Sequence, residues 1–190
     1  MVVLQGLRQV SGGSMRGWSR LGVALLGMGA AFVAWSAEEG VVSWPAGWQV
    51  SRSPEAPTDD VPLVRERGVK LAADGTQVLV MEVTRSRLAA SHDVYMQRVI
   101  LQMRKSLQID FLRQGLQAAC SKPKDATLGG LAAVELICSV SRNGNEVLKQ
   151  VLQVAVGKEA AYSLSYASPA AQYQEQKADI EAVKSALKLQ

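Results

Sequence analysis

Alternation by two, broken only at turn residues, governs the second half of this chain and leaves it little choice of fold. Apolar side chains recur at Leu116, Ala118 and Cys120, and again at Val134, Leu136, Cys138 and Val140. Successive strand residues point to opposite faces of a sheet, so this pattern describes strands with one buried face. "RNGN" at 142–145 turns the chain into "EVLKQVLQVAV", and "GKE" at 157–159 turns it into "AAYSLSYA". Connections this short make the strands antiparallel, because a parallel pair needs a crossover of about a dozen residues or more.

Parity constrains the turns as well. A two-residue turn at Asn143-Gly144 sets Lys149 and Gln153 opposite the Cys138 face, whereas a three-residue loop pairs that face with Leu148, Leu152 and Val154. A slip of one residue carries the apolar set to the wrong face, so the three-residue loop is expected. One turn earlier, pairing centred on Gly129 brings Cys120 opposite Cys138, with Pro123 opening room for a longer loop.

The first half is read in the same way. "VVSWPAGWQV", Val41 to Val50, forms a short edge strand kinked at Pro45 and Gly47, since proline cannot donate to a ladder. "SRSPEAPTDDVP" follows as an exposed loop, and "LVRERGVKLAADGTQVLVMEVTR" supplies two strands joined at Asp74-Gly75, the apolar Val78 to Val83 being central. From Ser91 the period changes. Met96, Ile100, Met103, Leu107 and Phe111 share one face of a helix expected from about His92 to Gln114, capped by Ser91 with Asp93 in its first turn, and ended by Gly115. Ser168-Pro169 is expected to open a last helix with a stripe of Tyr173, Ile180, Val183 and Leu187. Three strands, a helix, four strands and a helix make an α+β fold, an antiparallel sheet with helices packed on it.

Arg16 and Arg20 precede an uncharged apolar run from Leu21 to Ala34, and Ala34-Trp35-Ser36 supplies a small-x-small cleavage pattern. Together they read as a signal peptide cut near Ser36 or Ala37, with Met15 as an alternative start to Met1. The run falls short of the roughly twenty residues a spanning helix needs, and no cysteine stands near the cut to carry a lipid. The expected organisation is therefore residues 1–36 as extension and signal peptide and 37–190 as one domain, periplasmic and without a stable membrane anchor. Losing Arg8, Arg16 and Arg20 reduces the 21 basic residues to 18 against 17 acidic ones. With that balance and no basic-aromatic run, nucleic acid is not an expected partner.

Export bears on Cys120 and Cys138, the only cysteines. In an oxidising compartment an even pair is expected as a disulfide, and their shared parity turns the bridge toward the core. A redox centre calls for C-x-x-C spacing or an exposed low-pKa thiolate, and neither is visible. His92 is the only histidine, so no zinc set assembles, and Thr58 to Asp60 is a thin candidate for calcium. Ser91-His92-Asp93 has the residue types of a triad, but consecutive helical residues diverge by about 100°. No cofactor is expected.

The opening "WPAGW", a hairpin, a long amphipathic helix, a meander ending in "YSLSYASP" and the closing "YQEQKADIEAVKSALKL" resemble the PsbP-like superfamily, in particular its DcrB-like bacterial branch and related secreted bacterial domains of unknown function. The resemblance spans nearly the whole mature chain and rests on layout. It implies a six-to-seven-stranded antiparallel sheet sandwiched by the long central helix and the C-terminal helix. It also implies a non-catalytic accessory, chaperone or assembly role through protein contacts. No catalytic motif is shared to carry over, and the two cysteines mark a subgroup.

Trp44 and Trp48 have two open readings: packing over the sheet edge, or an aromatic patch for an unidentified envelope protein. The function expected is a non-catalytic binding protein of the cell envelope. The alternatives are a toxin-neutralising immunity-type binder, and an exported enzyme that is either a thiol oxidoreductase using the cysteines or a hydrolase using Glu66, Glu82 or Glu135.

Overall fold

In a computed structural model, the structure describes residues 41–55, 63–88 and 93–190. Eight strands make one antiparallel sheet: β1 (Trp48–Glu55), β2 (Leu63–Leu71), β3 (Gln77–Arg87), β4 (Gln117–Cys120), β5 (Lys124–Leu128), β6 (Leu131–Arg142), β7 (Asn145–Val156) and β8 (Ala160–Pro169). Their spatial order is β1-β2-β3-β8-β7-β6-β4, with β5 also paired to β6. Helix α1 (Met96–Arg113) lies between β3 and β4 in sequence, and α2 (Lys177–Ser185) follows β8. The α+β class stands, with one strand more than the range expected. Pro123 divides the far edge into β4 and β5, each pairing with a different half of β6.

Alternation along β6 and β7 divides two cores. Val134, Leu136, Cys138, Leu152 and Val154 face α1, whose Ile100, Met96, Met103 and Leu107 pack on them. Val151 and Ala155 face the other way, into a larger cluster with Leu79, Met81, Val83, Leu164 and the α2 residues Ile180 and Val183. The helices thus cover opposite faces of the sheet. Helix α1 ends as expected: Gly115, at φ +72°, donates to the Leu112 carbonyl and Leu116 to that of Phe111, a Schellman arrangement. Phe111 and Leu116 share a small buried cluster with Val140, which closes the helix end on β6.

Four expectations about local structure are corrected. The turn between β6 and β7 has two residues, Asn143 and Gly144, both at positive φ. A register shift after Val140 leaves Val147 as an extra residue and restores the parity, so Val140, Leu136 and Val134 oppose Leu148, Leu152 and Val154. The facing was anticipated, but it is a bulge and not an odd loop that delivers it. The edge strand begins at Trp48, not Val41, and runs on through Ser51 to Glu55, tolerating Pro54 because an edge strand has one unpaired side. Helix α1 starts at Met96, after Val94 and Tyr95, whose branched and aromatic side chains are poor helix formers; the expected Ser91 cap and His92 lie outside the described residues, as do Thr58 to Asp60. Finally, Pro169 ends β8 opposite Leu148, and α2 waits until Lys177. Between them, turns are closed by Gln172 on Pro169 and by Glu175 on Gln172.

Candidate functional site

Cys120 and Cys138 sit directly opposite each other on β4 and β6 and are joined, with an S–S distance of 2.02 Å. The Ser121 amide donates to the Ile137 carbonyl, which marks the cysteine pair as non-hydrogen-bonded, the position where cross-strand side chains approach most closely. The β5–β6 turn, Gly129-Gly130 at positive φ, pairs Leu128 with Leu131, one residue out of phase with the cysteine pairing. The mismatch is absorbed at 121–123, where the Ser121 hydroxyl accepts from the Ile137 amide at 3.1 Å. The bridge therefore holds the shortest strand of a divided edge. Cys138 is fully buried against the α1 core, and Cys120 packs on the same cluster with part of its surface exposed.

The second cluster lies at the opposite edge, on the α2 face. Glu66 of β2 has no exposure, and its carboxylate accepts from the Val41 amide at 2.6 Å and from Trp44 Nε1 at 3.1 Å. Arg52 of β1 stands 3.6 Å from the same group. The Trp44 ring rests on Gly68, where a Cβ would clash with the ring, and meets the Trp48 ring at 5.3 Å between centroids, tilted by 50°. Both tryptophans are half-buried against the larger core. The segment they pin continues into a bridge between Val42 and Leu187, with Lys188 donating to the Val41 carbonyl. Glu66 thus fastens the segment from Val41 to Trp44 to the sheet, and the C-terminal residues Leu187 and Lys188 pair with that segment.

The three carboxylates named for hydrolysis do not converge. Glu66 opposes Val83, while Glu82 opposes Arg67, so the two point to opposite faces. Glu82 pairs with Arg65 at 3.4 Å. Glu135 shares the Glu66 face but lies four strands away along the sheet order, about 19 Å at normal strand spacing. It is held by Lys124 at 3.1 Å and by Gln153 Nε2 at 2.8 Å. Nearby, burial above all, and then the neighbouring Tyr173 and Glu135, push the Tyr166 hydroxyl well above the usual tyrosine range. That hydroxyl stays protonated at any physiological pH and is a structural donor. Among the described residues, no three His, Cys, Asp or Glu side chains are grouped to hold a metal ion. Nor is any described helix long and apolar enough to cross a membrane.

Sequence reasoning weighed Glu66 only as a catalytic acid and missed its anchoring of Trp44. Its place in "VRERGV" could have shown it: with Gly68 and Lys70 it shares the parity opposite to Arg65 and Arg67, the parity that faces the "WPAGW" segment.

A single antiparallel sheet between a long helix and a C-terminal helix makes an α+β sandwich with a PsbP-like fold. Residues 39–189 match the family described as "Domain of unknown function (DUF4946)", and the chain belongs to that family. Among solved structures it is similar to the cyanobacterial PsbP protein CyanoP of Synechocystis sp. PCC 6803, at 14% identity and a TM-score of 0.54, over 77% of this chain and 84% of that one. It is also similar to LpqN of Mycobacterium tuberculosis, a protein involved in cell envelope biogenesis, at 19% identity and a TM-score of 0.44, over 75% of this chain and 78% of that one. At 14% identity the likeness to CyanoP is one of fold. No curated protein matches the chain significantly.

Proposed function

We propose that this protein is an exported, non-catalytic accessory protein of the cell envelope that works by holding a protein partner. The observation that carries the proposal is the Cys120–Cys138 disulfide inside the α1 core, a bond that forms and persists in oxidising compartments. It agrees with the signal-peptide pattern ahead of residue 37. The proposed contact is the β1 edge. Trp48 is half-buried there and Val50, on the same face of the strand, is 43% exposed. Among the described residues, no strand pairs with the outer side of β1. A free edge beside an aromatic pair suits a partner that adds an extended segment, with backbone hydrogen bonds for affinity and Trp48 for anchorage.

The test is a photoreactive residue placed at Gln49, whose side chain is exposed, in cells that export the protein. One discrete protein adduct in the envelope fraction, lost when Val50 is changed to lysine, is expected. A protein retained in the cytosol with free thiols, or an exported one giving no adduct, contradicts the proposal.

A further inference from the structure

The sheet uses only one side of α1. Opposite its buried stripe runs a second one, Tyr95, Arg98, Leu101, Lys105, Ile109 and Leu112, spaced by three or four residues and so aligned along the helix for about 25 Å. Tyr95 and Leu112 are each 68% exposed, Ile109 39% and Leu101 38%. The Arg98 guanidinium lies 5.9 Å above the Tyr95 ring. Arg104 flanks the stripe, and the only acid in the helix, Asp110, is engaged by Arg113 at 3.5 Å. Among the described residues, Arg98, Arg104 and Lys105 make no ion pair.

The order of residues on this stripe selects its occupant. A second copy docking face to face would gather Arg98 and Lys105 of both copies into one interface with no acid on the stripe to offset them. A protein partner wants a desolvated apolar centre with charge at the rim, and lysine is depleted from such centres. Here Lys105 occupies the centre, with Leu101 and Ile109 on either side. At the surface of a bilayer the same order is favourable. The aliphatic side chains enter the boundary below the headgroups, the long cationic ones extend back to the phosphates, and tyrosine prefers that interface.

We infer that the outer face of α1 rests on an anionic phospholipid surface, as a peripheral and salt-sensitive contact. It is independent of the protein contact assigned to β1, which lies at the other edge of the sheet from the strands that carry α1.

Co-sedimentation of the disulfide-bonded protein with phosphatidylglycerol-containing vesicles, against pure phosphatidylcholine vesicles, tests the inference. Binding to the anionic vesicles alone is expected, declining as salt rises. Neutralising Arg98 and Lys105 together (R98Q/K105Q) is expected to lower partitioning by about fivefold per cation removed. Leu101→Gln with Leu112→Gln is expected to weaken it too, without moving the urea midpoint, because neither side chain is in a core cluster. Equal binding to both vesicles, binding to neither, or unchanged partitioning in both variants overturns the inference. So does a photocrosslinker at position 105 that captures protein and no lipid in cells.

Discussion

Changing Glu66 to glutamine alters one atom's chemistry and nothing of the side chain's shape, which makes it a clean test of the buried anchor. The carboxylate offers one oxygen to the Val41 amide and the other to the Trp44 indole, at 2.6 and 3.1 Å. A carboxamide keeps one acceptor, so its NH₂ must face one of those two donors. The loss is one hydrogen bond to a charged group, about 1.5–3 kcal/mol, with a donor left against a donor in a site without solvent. Arg52 adds little, because its side chain is 49% exposed and its ion pair is screened. The expected cost is about 2–4 kcal/mol, a large share of the roughly 5–15 kcal/mol of a typical domain. Urea unfolding reads it as a midpoint shift of about 1–2 M at a slope of about 2 kcal/mol per M. Trp44→Phe, which removes the indole N–H, should then cost at least about 1 kcal/mol less in the Glu66→Gln background than in the native one. A cost under about 1 kcal/mol, or a cycle additive within about 0.5 kcal/mol, refutes the anchor.

Three further outcomes are expected. Replacing Cys120 and Cys138 by serine should destabilise the protein by about 3 kcal/mol, as expected for the loop closed by residues 18 apart, and dithiothreitol should reproduce the shift in the native protein during urea unfolding. Gly68→Ala drives a methyl group against the Trp44 ring; tryptophan fluorescence should shift to the red as the ring is displaced, and the urea midpoint should fall. Tyr166 has a raised pKa in the folded state, so its contribution is complete below the ordinary tyrosine value of 10.0 and declines as pH rises above it. Stability should therefore fall by about 1.4 kcal/mol per pH unit for this group above that value, and Tyr166→Phe should flatten the alkaline slope measured by urea titrations at stepped pH.

Much of the fold was legible because burial imposes periodicity. The four-and-three spacing of Met96, Ile100, Met103 and Leu107 named the buried side of α1, and alternation named the α1-facing residues of β6 and β7. The cysteine pairing followed from the same parity. Boundaries were less legible where tertiary pairing overrode local signals. Ser168-Pro169 has the form of a helix start, yet pairing with Lys149 and Leu148 keeps both residues in β8. The bulge at Val147 left no trace, since an extra exposed residue and a longer loop leave the same sequence pattern. Of the candidate site, the disulfide was readable from spacing. The joining of Glu66 to Trp44 was not, because it links residues 22 apart through a side chain that charge alone marked as catalytic.

Native mass spectrometry of the protein drawn gently from its envelope fraction, without reductant, tests the central claim most directly. The account predicts a chain beginning near residue 37, two hydrogens lighter than its reduced form, and held in a complex with a second protein. A bare chain that retains residues 1–36 and two free thiols would contradict it.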